Sequence, residues 1–371
     1  MHSSCQARHE DPSSQNRRRN WLRQFQTTYP EEWPIVLRFI KGAIHKAIVI
    51  PVVLHGLFAA LVVYLDSYHE GNLGLPASII PSLSIVVGLM LVFRNQTSYN
   101  RFWDGRNYLT VIITSVRNLT RTFLVSSPFS SPTTSPSDRQ DTEQVIRILI
   151  AILYATKNHL RASWGAAIIP GAAVSHSTGD ATSKPEYSDL LPPGLEGFED
   201  RGLGLSLQLT FFVEGYIKRG GERGWFQAPQ ASQMQAQLNS LVDAYGRMET
   251  IRLTSIPVAH LIHQKQVLAL FGMVLPFALV SQMAWWAVPI VVLVTFTLYG
   301  IDGIASQLED PFGYDRNDIR MDSIVEDIRE EIAVMVEEWT RVGSGGGRGG
   351  GMMFEGKKGM RGGGGEGVNG R

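Results

Sequence analysis

Pro81–Arg121 reads PSLSIVVGLMLVFRNQTSYNRFWDGRNYLTVIITSVRNLTR, and no proline interrupts the stretch after Pro81. It is free of charged residues up to Phe93 and then becomes rich in arginine, asparagine and aromatic residues. Because proline is the usual helix breaker, the stretch predicts one helix that spans a membrane and continues into water. Ile85, Leu89 and Phe93 recur every fourth residue and therefore share one helix face. Such a stripe can face lipid, a neighbouring helix or a pore, and helix packing is the ordinary interpretation.

A dense polar collar follows this apolar stripe. Its polar members are Arg94, Asn95, Gln96, Asn100, Arg101, Asp104 and Arg106. Tyr99, Phe102 and Trp103 lie among them, and such amphipathic rings favour the interface between membrane and water. The collar is therefore predicted to lie where the helix leaves the bilayer.

Three windows of the chain lack Asp, Glu, Lys and Arg: Ala47–Leu65, Gly71–Phe93 and Gln266–Ile301. The first has 19 residues, which as a helix would span about 28 Å, close to the hydrocarbon thickness of a bilayer. The third has 36 residues, too many for one span, and Ser281, Gln282 and Pro289 indicate a reversal within it. We therefore predict four spans, at about 47–65, 77–95, 267–282 and 286–304. The alternative is a buried helical hairpin in a soluble protein.

The distribution of basic residues predicts the topology. Those that precede the first span are Arg17, Arg18, Arg19, Arg23, Arg38, Lys41 and Lys46, whereas the loop 66–76 has no Lys or Arg. The positive-inside rule places the N-terminus in the cytosol, and four spans return the C-terminus there. Residues of about 100–265 then form a cytosolic helical region. The first 20 residues are polar, so no secretory signal peptide is expected. Plasma and organelle membranes fit this pattern equally.

Composition excludes several classes of protein and predicts which segments are disordered. Lys and Arg number 34, as do Asp and Glu, a balance that gives no support to a nucleic-acid-binding protein. A lone cysteine, Cys5, excludes an internal disulfide framework and a cysteine-rich zinc module. Residues 1–20 and the glycine-rich 339–371 are predicted to be disordered tails, and 125–140 a Ser/Pro linker inside a domain of 21–338. No catalytic motif is present in the sequence, so an enzyme is not expected.

Three motifs resemble one known family. LVFRNQTSYNRFWDGR (91–106), TSIPVAHLIHQKQVLALFGMVLPFALV (254–280) and QLEDPFGYDRNDI (307–319) look like segments of bestrophin-like channels, in the same order and spacing. The resemblance covers roughly residues 20–335 and implies an all-α subunit with four spans that assembles as a homopentamer around one pore. It also implies that Ile85, Leu89 and Phe93 line an apolar neck, which would gate by dewetting. The family's lower constriction is expected within Leu205–Val213.

The resemblance implies a passive ion channel in the lipid bilayer, with chloride or another small anion as the permeant ion. Some bacterial members prefer cations, so a cation-conducting homologue is the alternative, and a membrane transporter is the next. Arginines of the collar, Arg94 and Arg101 among them, would concentrate anions if they faced the pore. They can instead pair with Asp104 or with the acidic segment after the last span. Tyr99, Trp103 and Arg106 complete the matched motif.

A calcium site is a further implication. In animal bestrophins an acidic cluster directly after the PFG motif grips calcium, and the motif here is Glu309, Asp310, Pro311, Phe312 and Gly313. The matching stretch keeps Asp315 and Asp318, but Arg316 interrupts it. Ca²⁺ prefers six to eight oxygen ligands, so capping of helices by these aspartates is the alternative. Glu309 and Asp310 are expected to anchor arginines, and no other cofactor is expected.

Overall fold

The computed structural model describes residues 45–68, 73–126, 136–161, 188–191, 204–315 and 317–343, and the regular elements in these ranges are helices without any strand. In chain order they are α1 (His45–Tyr68), α2 (Ile79–Ser126), α3 (Pro136–Arg161), a 3-10 turn (Ser188–Leu190), α4 (Leu205–Glu222), α5 (Ala228–Leu253), α6 (Val258–Met283), a 3-10 turn (Ala284–Trp286), α7 (Ala287–Leu308) and α8 (Met321–Gly343).

The longest helix, α2, runs without a break through 48 residues. At the helical rise per residue it is about 70 Å long, more than twice the hydrocarbon thickness of a bilayer. Its first third is apolar and the remainder is amphipathic, because its buried positions there include Leu109, Ile112, Val116 and Leu119. One helix therefore carries both an apolar segment and part of a packed helical core.

Three helical stretches are long and apolar enough to cross a membrane: Ile48–Tyr68, Ile79–Ser126 and Val258–Leu308. The third contains the end of α6, the turn Ala284–Trp286 and the start of α7. Ala284 has a φ of 45°, a left-handed conformation that reverses the chain and that few non-glycine residues adopt. The turn lies between Gln282 and Pro289, where the sequence predicts a reversal.

The chain forms two compact units. The apolar unit consists of the described parts of Met1–Pro76 together with Gly272–Gly303. Within it α1 packs closely, since a Cβ on Gly56 would stand 2.9 Å from Val292. The backbone N–H of Leu75 donates to the carbonyl of Phe277 over 2.9 Å.

The helical core unit comprises the described parts of Ala77–Phe271 and Ile304–Arg371. Here α2 packs on α3, α5 and α8, and α3 packs on α4. The fully buried side chains at the centre include Leu119, Phe123, Leu149, Ile152 and Tyr216. Phe123 and Tyr216 meet edge to face with their ring centroids 4.9 Å apart, a geometry that adds to the stability from burial.

Two predicted boundaries are wrong. The predicted linker 125–140 is helical at both of its ends, because α2 extends to Ser126 and α3 begins at Pro136. Proline at the first helical position and Asp138 in the first turn both favour a helix start. The predicted tail at 339–371 begins too early, because α8 extends to Gly343. Trp339 packs against the core, and the guanidinium of Arg139 lies over its ring. These contacts stabilise the last turn of α8.

The rest of the predicted linker (127–135), the predicted tail 1–20 and residues 344–371 of the second tail lie outside the described residues.

Candidate pore-lining helix

The apolar stripe of α2 is not covered by the rest of the described chain. Ile85 is 70% exposed, Leu89 53% and Phe93 62%. The buried residues of the same segment are Val87, Leu91, Arg94 and Ser98. At about 100° a residue, this buried face and the exposed stripe lie on roughly opposite sides of the helix. Packing within the chain therefore uses one face of α2 and leaves the predicted neck residues on the other.

Two amide side chains continue the stripe. Gln96 and Asn100 are exposed, and the Nε2 of Gln96 donates to the Oδ1 of Asn100 over 2.8 Å. Next to them the rings of Tyr99 and Trp103 are stacked, with an interplanar angle of 4° and centroids 6.5 Å apart. Both rings are about half exposed. An apolar surface thus gives way to a polar and aromatic one along the same side of α2.

Arg94 points away from this surface. The residue is only 3% exposed, and its guanidinium donates to the Oγ of Ser306 in α7 over 2.6 Å. Its neighbour Asn95 is half-buried. Because a buried guanidinium needs hydrogen-bond acceptors, Arg94 serves to join α2 to α7.

Arg101 is bound by main-chain carbonyls. Its guanidinium donates to Ile251 and Thr254 over 2.6 Å each, and to Glu309 over 3.0 Å. The first two carbonyls lie at the end of α5, where a helix leaves its carbonyls without intrahelical partners. Of the two alternatives for Arg101, the structure shows pairing within the protein, and the partners are these carbonyls and not carboxylates. Arg106 donates to the Oγ1 of Thr110 over 3.0 Å.

The segment after α7 docks beside this arginine. Phe312 is fully buried and lies against Gly105, with Pro311 next to it. Asp310 forms an ion pair with Arg252 at 2.5 Å, as expected for an acid that anchors an arginine. Glu309 contributes its carbonyl to Arg101. Sequence reasoning missed Arg252, because nothing near it in the chain signals a partner 58 positions away.

Residues of the predicted calcium stretch make hydrogen bonds with one another and with α7. The Oδ2 of Asp318 accepts the backbone N–H of Asp315 over 2.7 Å, and Asn317 donates to Gln307 over 2.7 Å. Partial burial, followed by the charges of Asp315 and Asp310, raises the pKa of the Asp318 carboxyl above its usual value.

Of the two roles predicted for these aspartates, the structure tests only helix capping. The described residues, which exclude residue 316, contain no cluster of three or more potential metal ligands, and a calcium site at Asp315 and Asp318 stays a prediction. Helix capping is wrong for Asp318, because its carboxylate accepts the N–H of Asp315, which precedes it within a turn, and not an N–H of a following helix.

The region expected to hold the lower constriction is the first half of α4. Leu209 and Val213 are buried there, whereas Leu207, Phe211 and Phe212 are exposed. The rings of Phe211 and Phe212 meet at 84° with centroids 6.0 Å apart. Helical periodicity thus places a buried core face and an exposed apolar face on different sides of α4 within Leu205–Val213.

Comparison with known proteins identifies the family. The profile described as Bacterial/Fungal Bestrophin protein matches residues 24–334. A voltage-dependent anion channel-forming protein of Nostoc sp. is 34% identical over 311 residues, which cover 82% of this chain and 92% of that protein. A protein of the same description from Synechocystis sp. is 30% identical over 320 residues, covering 85% and 96%.

A solved structure shows the same fold. The crystal structure of a bacterial bestrophin homologue from Klebsiella pneumoniae superposes with a TM-score of 0.64 at 22% identity, covering 78% of this chain and 98% of that one. The profile and both relatives match more than four fifths of the chain, and its apolar helices are long enough to cross a bilayer. The protein is therefore an integral membrane protein that belongs to the bacterial and fungal bestrophin family.

Proposed function

We propose that five copies of this chain form a passive channel for chloride and other small anions, in which α2 of each subunit lines a central pore. The observation that carries the proposal is the exposed stripe of Ile85, Leu89 and Phe93, which lies opposite the buried face of an unbroken helix. The names of the Nostoc and Synechocystis relatives, which are described as anion channel-forming proteins, support the choice of permeant ion.

In a five-fold assembly each stripe residue is repeated five times and forms a ring. Three stacked apolar rings make a narrow neck with no hydrogen-bond donors or acceptors, because the helix backbone is already satisfied internally. Water leaves such a constriction readily, so ions cross only when the neck widens. The neck thus acts as a gate, and no catalysis or cofactor is needed.

The proposed topology has spans at about 47–65, 77–95, 267–282 and 286–304, with both termini in the cytosol. The part of α2 beyond Phe93 and helices α3, α4, α5 and α8 then form the cytosolic region. The exposed face of α4 around Phe211 is the proposed lower constriction. A transporter would be expected to carry broken helices around a site at the middle of the membrane, whereas α2 is continuous.

The test is planar-bilayer recording of the purified protein in a KCl gradient, with calcium and with a calcium chelator. We expect a current whose reversal potential lies near that of chloride and does not change on chelation. A reversal potential near that of potassium would refute the anion assignment and leave the pore intact. Absence of current in both solutions would refute the channel. Native mass measurement should give five times the 41.1 kDa of one chain, and a monomer would contradict the pore.

A further inference from the structure

The first ring of polar groups beyond the neck is made of neutral amides. We propose that Asn100, held in position by Gln96, is the residue that makes the pore prefer anions to cations. This inference rests on the proposed pore and names the groups that select ions within it. It departs from the alternative in which arginines of the collar face the pore and concentrate anions.

The two amides lie on the same face of α2 as the neck residues. The neck residues Ile85, Leu89 and Phe93 define a line along α2, and at about 100° a residue both Gln96 and Asn100 lie within roughly 20° of its centre. Both amides are exposed, like the neck residues. If the stripe faces the pore, the amides face it as well, one and two turns beyond Phe93.

A hydrogen bond between the two amides sets their orientation. Gln96 donates its Nε2 hydrogen to the Oδ1 of Asn100 over 2.8 Å. One of the two lone pairs of the Asn100 oxygen, which could attract a cation, is therefore engaged, whereas its nitrogen carries two N–H donors. Five copies would present a ring of donors to a passing ion. Such donors replace part of the water shell of an anion and offer little to a cation.

The charged residues near the amides lie off the centre of the stripe. Arg94 lies on the opposite, buried face against Ser306, and the guanidinium of Arg101 is engaged by three carbonyls. Arg106 lies about 100° from the centre of the stripe. Asp104 is exposed and lies only about 60° from that centre on the other side. A nearby carboxylate opposes anion entry, so the preference for anions cannot be assigned to the charge nearest the stripe.

A neutral ring and a charged ring respond differently to salt. The field of a solvent-exposed arginine is screened over about 10 Å at 0.1 M salt and over about 3 Å at 1 M. Hydrogen bonds from an amide act at contact and are not screened in this way. The ratio of anion to cation permeability of the wild-type channel should therefore stay nearly constant as the ionic strength is raised.

The experiment measures reversal potentials in a KCl gradient for the wild type, Asn100→Asp, Asn100→Leu and Asp104→Asn. Asn100→Asp converts the donor ring into a carboxylate ring and should move the reversal potential towards that of potassium. Asn100→Leu removes the donors without adding charge and should lower the anion preference several-fold. Asp104→Asn should raise it. Asn239→Asp adds the same charge on the exposed side of α5 and is the matched control, expected to leave the reversal potential unchanged.

The outcomes separate this inference from the proposed function. Asn100 is exposed, so all variants should keep the native mass of the wild type. If Asn100→Asp and Asn100→Leu conduct with the wild-type reversal potential while Leu89→Ala alters the current, the pore stands and the amide ring is refuted. A wild-type preference for potassium, or a preference for chloride that collapses at high salt, also refutes it. A wild type that does not conduct removes the pore and this inference together.

Discussion

Phe312 lies against Gly105 so closely that a Cβ built on Gly105 would stand 2.9 Å from the Cζ of that ring and 3.3 Å from Pro311. Phe312 is fully buried in this position. The two residues belong to different motifs of the sequence, one within the polar collar of α2 and the other in the segment after α7. Their contact, together with the bonds of Arg101, fastens the segment after α7 to the helix proposed to line the pore.

We expect Gly105→Ala to destabilise the protein. Alanine is the better helix former, by about 1 kcal/mol, but its methyl group would overlap the ring of Phe312, and overpacking of this kind costs about 1–3 kcal/mol. The measurement is the thermal unfolding temperature in detergent. Gly246→Ala in α5 is the control, because a Cβ there meets no atom within 4 Å, and this variant should unfold at an equal or higher temperature. Equal behaviour of the two variants would contradict the close packing.

We expect Arg101→Lys to lower stability by about 2–4 kcal/mol, since hydrogen bonds from a charged donor contribute about 1.5–3 kcal/mol each. An ammonium cannot reproduce the planar fork with which Arg101 reaches three carbonyls of two segments. Chemical denaturation and native mass would measure the loss of stability and of assembly. Arg106→Lys, at a half-buried arginine with a bond to Thr110, should change stability by less than about 0.5 kcal/mol. A comparable effect at both positions would show that the carbonyl clamp contributes little.

Replacement of Ile85, Leu89 and Phe93 by alanine should raise the open probability of the channel. Smaller side chains widen the rings of the neck and make it easier to hydrate. The reversal potential should change little, because apolar rings do not coordinate ions. Single-channel recording measures both quantities. Leu83→Ala, at an exposed apolar position about 120° from the stripe, should conduct as the wild type does. Unchanged gating in the triple variant would exclude these residues from the gate.

The stability conferred by Asp322 should be lost in acid. Partial burial acts to raise the pKa of this carboxyl, but hydrogen bonds and charges of Arg161 and Lys157 outweigh it and lower the pKa below its usual value. Lys157 lies 3.0 Å and Arg161 2.6 Å from its oxygens. A carboxyl with a lowered pKa in the folded state stabilises the protein above its unfolded pKa, and this contribution disappears as the pH falls through the folded value. Asp322→Asn should therefore be less stable than the wild type at pH 7, and the gap should close below about pH 4.

Asp318→Asn provides the control with the opposite sign. Its raised pKa means that the folded state disfavours the charged carboxylate, so Asp318 costs stability at neutral pH and less as the pH falls through the folded value. Asparagine keeps an oxygen that can accept the N–H of Asp315. The variant should be at least as stable as the wild type at pH 7, and the two should converge in acid. Parallel pH profiles for the Asp318 and Asp322 variants would contradict the opposite pKa shifts.

Much of the helical framework follows from local pattern. The absence of proline after Pro81 predicts a helix that continues past the bilayer, and α2 is continuous to Ser126. Charge-free windows predict where apolar helices lie, because the cost of burying charge in lipid is a property of each residue. The same local reasoning fails at the linker and at the end of α8. Glycine and serine content suggests disorder there, but Trp339 and Arg139, which are far apart in the chain, hold the last turn of α8.

By itself the sequence determined that Ile85, Leu89 and Phe93 share one face, since helical periodicity depends only on spacing. Only the tertiary structure decided that this face is exposed and that Arg94 and Arg101 are turned inward. The reason is physical: the acceptors that hold these arginines, Ser306 and the carbonyls of Ile251, Thr254 and Glu309, lie 150 or more positions away in the chain. An arginine next to the apolar stripe has the same local sequence whether its guanidinium faces ions or binds carbonyls. Folding brings its partners within reach, and that removes the arginines from the surface on which the amides remain.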